Sequence, residues 1–181
     1  SLGYLGMALS LMHLPNVLTT ALAVTLVPAV SEAKSLKAYR QVHYKVAEAM
    51  RITMFFGIPA SIGLYCMARP VTLLLFGYSE AAQPLQILAM GTLAVGVFQV
   101  CSGVLQGLGL AVVPVYSLLL GVLVKFVVTY WLTALSHLGV MGAAWGTVAG
   151  LSVAGLLNIK AVGRHTGVNW DYGLMLLRPL L

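Results

Sequence analysis

Residues 2–30 contain no Asp, Glu, Lys or Arg, and a run of that length is enough for a tilted helix to cross a bilayer. Four more apolar runs follow, at 52–68, 85–108, 112–135 and 140–162, separated by short breaks in which Gly, Pro and charge collect. Pro15 lies inside the first run, Pro28 marks its end and Pro59 interrupts the second. Each proline frees a backbone carbonyl and kinks its helix, which a membrane bundle tolerates where neighbours or water take up the freed group. Arg69 and Pro70 close the second run, and 71–84 reads as a short re-entrant or interfacial piece. The pattern predicts an all-α fold: a multi-spanning membrane helical bundle of five spans, with LMLLRPLL at 174–181 opening another.

Within these runs the few polar positions are ordered. Thr92, Gln99, Ser102 and Gln106 fall in one quadrant of the third helix, with Gly96 and Gly103 close by. A polar seam on a membrane helix faces protein or a wet cavity. Gly142, Gly146 and Gly150 recur every four residues in the fifth run, a small-residue ladder that lets a second helix approach closely.

The one extended polar stretch is 31–51, SEAKSLKAYRQVHYKVAEAMR. It carries Lys34, Lys37, Arg40, Lys45 and Arg51 against Glu32 and Glu48. Leu36, Tyr39, Val46 and Met50, with His43 in register, form a narrow apolar stripe, so 31–51 is expected as an amphipathic connector on the membrane surface.

Composition agrees with lipid as the main solvent. Charged residues are 8% of the chain and apolar residues 60%, against about a quarter charged in a soluble domain. The net charge of +6 sits in loops and helix ends with no aromatic-interleaved basic face, so nucleic acid is not an expected partner. Anionic headgroups and anionic substrates are. With 31–51 inside, Lys160, Arg164, His165 and Arg178 return to the same side, which the positive-inside rule makes cytoplasmic. Only Arg69 and Lys125 depart from it. Cys66 and Cys101 fall in apolar runs at different depths and read as packing residues rather than a disulfide. Beginning at Ser1 and stopping as a new apolar run starts, the chain reads as one partial transmembrane domain over 1–181, a piece of a longer protein.

The order of the apolar strings carries a further signal. LPNVLTTALAVTLVPAVSEAKS (14–35) and GIPASIGLYCMARPVTLLLFG (57–77) come first. VLQGLG (104–109), GVLVKFVVTYWLTALSHLGVMGAAWGT (121–147) and LLNIKAVGRHTG (156–167) follow. This succession resembles the stage V sporulation protein B and polysaccharide-biosynthesis branch of the multidrug/oligosaccharidyl-lipid/polysaccharide exporter superfamily. The resemblance covers essentially the whole chain. It implies part of the second lobe of a two-lobed bacterial cell-membrane transporter that flips lipid-linked, anionic sugar precursors for wall, spore-cortex or polysaccharide synthesis. The implied partners are that substrate, membrane lipids and the remaining helices, with no cofactor. Thr129 departs from the pattern, since relatives often carry Asn there.

Lys125 is the sharpest single residue. It lies near the middle of the fourth run, where a lysine costs about 2.5–3.5 kcal/mol on insertion scales. Gly121, Lys125 and Thr129 share a face at four-residue spacing. Either Lys125 is a cavity cation that meets a pyrophosphate or anionic sugar, or it bonds carbonyls freed at a kink such as Pro59. Gln99, Ser102, Gln106 and Thr129 are substrate-binding candidates beside it; the seam could equally bond helix to helix. Glu48 and Arg51 would form a gate pair at the inner mouth, or a solvated helix face. His13 reads as a side chain serving the Pro15 kink, Asn158 as a cap or interhelical bond, and Trp131, Trp145 and Trp170 as interfacial or packing aromatics.

Two other classes remain to be discriminated. A cation-coupled multidrug exporter of the same superfamily would want a cavity acid, and the spans hold none. An intramembrane serine hydrolase would use Ser152 after Gly150 with His13, but the elbow pattern lacks its closing Gly and no acid orients the His. Metal-protease, Cys/His-cluster and P-loop motifs are absent from the sequence.

Overall fold

The structure, a computed structural model, describes residues 2–13, 16–77, 82–135 and 140–166. Those residues form seven helices and no strand: α1 (Leu2–His13), α2 (Asn16–Ser35), α3 (Tyr39–Cys66), α4 (Ala68–Phe76), α5 (Ala82–Gly107), α6 (Val112–Leu135) and α7 (Val140–Thr166). All but α1 and α4 are long and apolar enough to cross a membrane, α6 over Val112–Thr133 and α7 over Met141–Thr166.

α5 is the axis of the bundle, packed by α1, α2, α3, α4 and α7, while α6 rests mainly on α7. Two apolar clusters lie along α5. One holds Leu11, Met12, Ala68, Leu85, Leu88 and Val95; the other holds Val30, Val42, Val46, Met50, Val100 and Val104, at the end where α2 turns into α3. Backbones meet closely where side chains are absent. A Cβ on Gly103 would run into the Ala23 carbonyl of α2, its carbon only 3.0 Å away. The ladder read on the fifth run makes the same kind of contact with α6: a Cβ on Gly150 would lie 2.5 Å from the Gly121 oxygen and 2.9 Å from Lys125 Cβ.

The structure revises the expected boundaries in three places. The first run does not end at Pro28: α2 carries Pro28 inside it and continues to Ser35, while Leu14 and Pro15, between α1 and α2, lie outside the described residues. The second run does not stop at Arg69 and Pro70. Its helix ends at Cys66, and Pro70 stands in the first turn of α4, where its missing amide hydrogen leaves no helical bond unmade.

The third revision concerns 31–51, which is not a separate surface helix. α2 continues to Ser35, the chain reverses through Lys37 at φ 52°, and α3 begins at Tyr39. The reversal is a Schellman turn, with Ala38 N–H donating to Ala33 O at 2.9 Å and Lys37 N–H to Lys34 O at 2.9 Å. The buried stripe is Val42, Val46, Ala49, Met50 and Thr53, whereas Leu36 and Tyr39 are exposed. Apolar spacing identified a helix with one dry face; it could not tell whether lipid or α5 would cover that face.

Candidate functional site

The polar seam of α5 divides between two neighbours. Thr19 Oγ1 of α2 lies 2.7 Å from Gln99 Oε1 and 2.9 Å from Asn16 O. One hydroxyl proton cannot serve both acceptors. With the Gln99 amide turned so that its NH2 donates to Thr19, and Thr19 donates to Asn16 O, both contacts are satisfied. Asn16 Nδ2 in turn donates to Met12 O of α1 at 3.0 Å. On the other flank, Asn158 Nδ2 of α7 donates to Ser102 Oγ at 2.9 Å, and Ser102 donates to Phe98 O at 2.7 Å.

Ser102 and Asn158 are thus buried in an interhelical pair, Gln99 is half-buried against α2, and Gln106 is exposed. The Asn158 Oδ1, Thr92 Oγ1 and Thr129 Oγ1 atoms are buried without a hydrogen-bond partner. Such atoms in a transmembrane core are positions for bound water or a second conformation.

Lys125 stands beside this core on α6. Its Cβ packs near Gly150 and its carbonyl near Gly146, yet the residue is exposed, and it makes no hydrogen bond or ion pair with the described residues. Thr129, half-buried one turn further on, faces Gly146. Lys125 and Thr129 therefore share the α6–α7 contact face, apart from the Gln99–Ser102 contacts on α5.

The other sequence candidates are spread out. Glu48 and Arg51 are both exposed on α3, Arg51 about 18 Å along from the start of that helix at 1.5 Å per residue. His13 is exposed at the end of α1. Trp131 and Trp145 are exposed, as interfacial aromatics would be, and Trp170 lies outside the described residues. Ser152 sits mid-way along continuous α7, so no sharp turn presents it as a nucleophile. Cys101 is buried and Cys66 exposed, both as free thiols.

Sequence reasoning missed what the cations of 31–51 do. Lys34 Nζ donates to Leu108 O at 2.5 Å, the His43 ring Nε2 bonds Thr166 O, and Lys45 Nζ donates to Ala29 O at 3.1 Å. Leu108 O lies just past the end of α5, the negative end of that helix dipole, and Thr166 is the last described residue of α7. The signal available was small: a Lys in the last turn of α2 and a His early in α3, both within reach of other helix ends only if those ends gather at one side of the bundle.

Comparison with known proteins places the chain. Residues 1–176 match the family described as lipid II flippase MurJ. Stage V sporulation protein B of Bacillus subtilis (strain 168) is 32% identical over 159 residues, 88% of this chain and 31% of that protein. Lipid II flippase MurJ of the same strain is 27% identical over 177 residues, 94% of this chain and 32% of that protein. A solved structure described as the inward-facing conformation of a multidrug resistance MATE family transporter of the MOP superfamily shares the fold. It has a TM-score of 0.74 and 17% identity over 97% of this chain and 44% of that one. The chain thus spans about a third of the length of these two curated relatives.

Proposed function

Because the chain belongs to the lipid II flippase MurJ family, we propose that it forms part of one lobe of a transporter that flips a lipid-linked, anionic oligosaccharide across the bacterial cell membrane. Its five membrane-length helices and its family make it a multi-pass membrane protein. The observation that carries the substrate reading is Lys125: a cation near the middle of α6, exposed, unpaired among the described residues, and flanked by the α7 glycines. An isolated lysine at that depth is stable only against water, an anion or a partner from the rest of the protein. A pyrophosphate headgroup supplies the needed charge as it passes.

In this reading the lobes rock about a central aqueous cavity while the polyprenyl tail stays in lipid. The glycine contacts between α6 and α7 and between α2 and α5 let the lobe move as one body. The bond cluster of Lys34, His43 and Lys45 supports the same rigidity at the end we assign to the cytoplasm, where Arg40, Lys160 and Arg164 also gather. With the cell interior negative, outward passage of a pyrophosphate is downhill by about 2.3 kcal/mol per charge per 100 mV.

The drug-exporter alternative rests on the shared fold alone. It asks for a carboxylate in the cavity, and the described residues contain only Glu32, near the α2–α3 turn, and Glu48, about 14 Å along α3 at 1.5 Å per residue, both exposed. The test is replacement of Lys125 in the full-length protein. Lys125→Ala should abolish complementation of a flippase-depleted strain at normal expression, with Lys125→Arg restoring part of it. Full complementation by Lys125→Ala would remove the residue from transport.

A further inference from the structure

At the end of the bundle where α2 turns into α3, a cavity of about 230 Å³ opens between four helices. Lys34, Tyr39, His43, Leu108, His165 and Thr166 define it, and among the described residues that line it none is acidic. It lies at the ends of α2, α3, α5 and α7, each long enough to cross the bilayer, and so at headgroup depth. It is also smaller than the roughly 300–1,000 Å³ of sites for drug-sized ligands, which suits a compact anion rather than a sugar chain.

The bonds already present leave hydrogen-bonding nitrogens and ammonium hydrogens over. Lys34 has three ammonium hydrogens and gives one to Leu108 O. His43 has Nε2 engaged with Thr166 O, leaving Nδ1. His165 has Nδ1 engaged with Ala161 O at 2.9 Å, leaving Nε2. In both rings the engaged nitrogen carries the hydrogen, because a carbonyl can only accept. A ring that carries a hydrogen on both nitrogens donates through the second one to an anion. The Leu108 and Thr166 carbonyls would repel an anion if bare; Lys34 and His43 cover them.

We infer that this cavity binds a phosphate-bearing anion, a phosphomonoester or phosphodiester, held by Lys34, His43 and His165. A bilayer phospholipid headgroup and a soluble phosphate share that chemistry, and basic pockets between membrane helices take such headgroups. The site is on other helices than Lys125 and does not depend on the substrate reading.

The test uses the full-length protein in nanodiscs of phosphatidylcholine alone or mixed with phosphatidylglycerol, with retained lipids counted by native mass spectrometry. Inorganic phosphate serves as competitor. His165→Gln is the primary variant, since His165 is exposed and lies on the rim; Lys34→Gln and Lys34→Arg follow, each checked for an unchanged melting midpoint. Loss of one charge-assisted bond should weaken phosphatidylglycerol retention about tenfold in His165→Gln and in Lys34→Gln, with Lys34→Arg close to the parent. Retention that inorganic phosphate displaces supports recognition of the phosphate from either source. Retention that it does not displace supports the headgroup alone, and phosphate binding without lipid selectivity supports the soluble source. Equal retention of phosphatidylglycerol by parent and both Gln variants, with no effect of phosphate, overturns the site.

Discussion

α5 and α6 are neighbours in sequence and opposites in environment. In the most apolar stretch of α5, 67% of residues are buried inside the bundle; in that of α6, the most apolar of the five long helices, the figure is 17%. Leu119, Leu123, Phe126 and Tyr130 recur at helical spacing along α6 and are all exposed. In water such a stripe would mark a binding face or an error; in a bilayer it meets acyl chains or the rest of the protein at little cost. α5 instead holds the polar residues Thr92, Gln99 and Ser102, of which Gln99 and Ser102 bond to α2 and α7. The contrast teaches that in lipid, interior position tracks small and hydrogen-bonding side chains, and greasiness tracks the outside.

The most damaging way to probe that contrast is Gly103→Leu. Even a Cβ there collides with the α2 backbone at Ala23, so α2 must leave α5. Folded, monodisperse protein should disappear from size-exclusion profiles in detergent, and retention of the parent profile would mean that the α2–α5 contact is not as close as described. Next in size is Leu88→Ala, at a fully buried position on α5, against Phe126→Ala, 69% exposed on α6. The first should cost about 2–5 kcal/mol through the cavity it leaves. The second should stay within about 0.5 kcal/mol, both read from unfolding in mixed micelles. Comparable losses at the two positions would erase the distinction between the helices.

A smaller effect is expected from Asn158→Ala, which removes the bond to Ser102. Interhelical side-chain bonds in membranes average about 0.6 kcal/mol, and removing the unpartnered Oδ1 offsets part of that. A thermal midpoint falling by as much as for Leu88→Ala would show that the pair anchors a larger network. The smallest change belongs to the α2–α3 turn. Lys37 holds φ 52°, a conformation that costs a residue with a Cβ about 1–2 kcal/mol relative to glycine. Lys37→Gly should therefore raise the midpoint slightly, by about 0.5 kcal/mol once the looser unfolded chain is counted. A clear fall would mean that the Lys37 side chain does something the backbone does not reveal.

Much of the fold was legible because its causes are local. The four runs from 52 to 162 correspond to α3, α5, α6 and α7, and the Gly142–Gly146–Gly150 spacing announced a helix contact that α6 fills. Asn158 read as a cap or an interhelical bond, and it bonds Ser102 of α5. The candidate site was less legible. Gln99 and Ser102 look like one seam on a helical wheel, but they stand on a helix with neighbours on both flanks, and each bonds a different one. Asn16 and Thr19 gave little signal beyond a polar helix start after Pro15, since their roles depend on Gly96 admitting both α2 and α3 to α5.

By itself the sequence determined the solvent, the all-α class and the four long apolar helices from 52 to 162: 8% charge leaves too little polar surface for water, and apolar period acts within a few residues of where it stands. Only the tertiary structure decided that Val46 and Met50 of the 31–51 stripe pack in the bundle core with Val42 while Leu36 and Tyr39 stay exposed, and that Lys34, His43 and His165 meet around one cavity. Those outcomes depend on which helix ends come together, and that is set by the close backbone contacts of Gly103 and Gly150 with partners remote in sequence. A periodic pattern fixes which face of a helix is dry; contacts across the bundle choose what covers it.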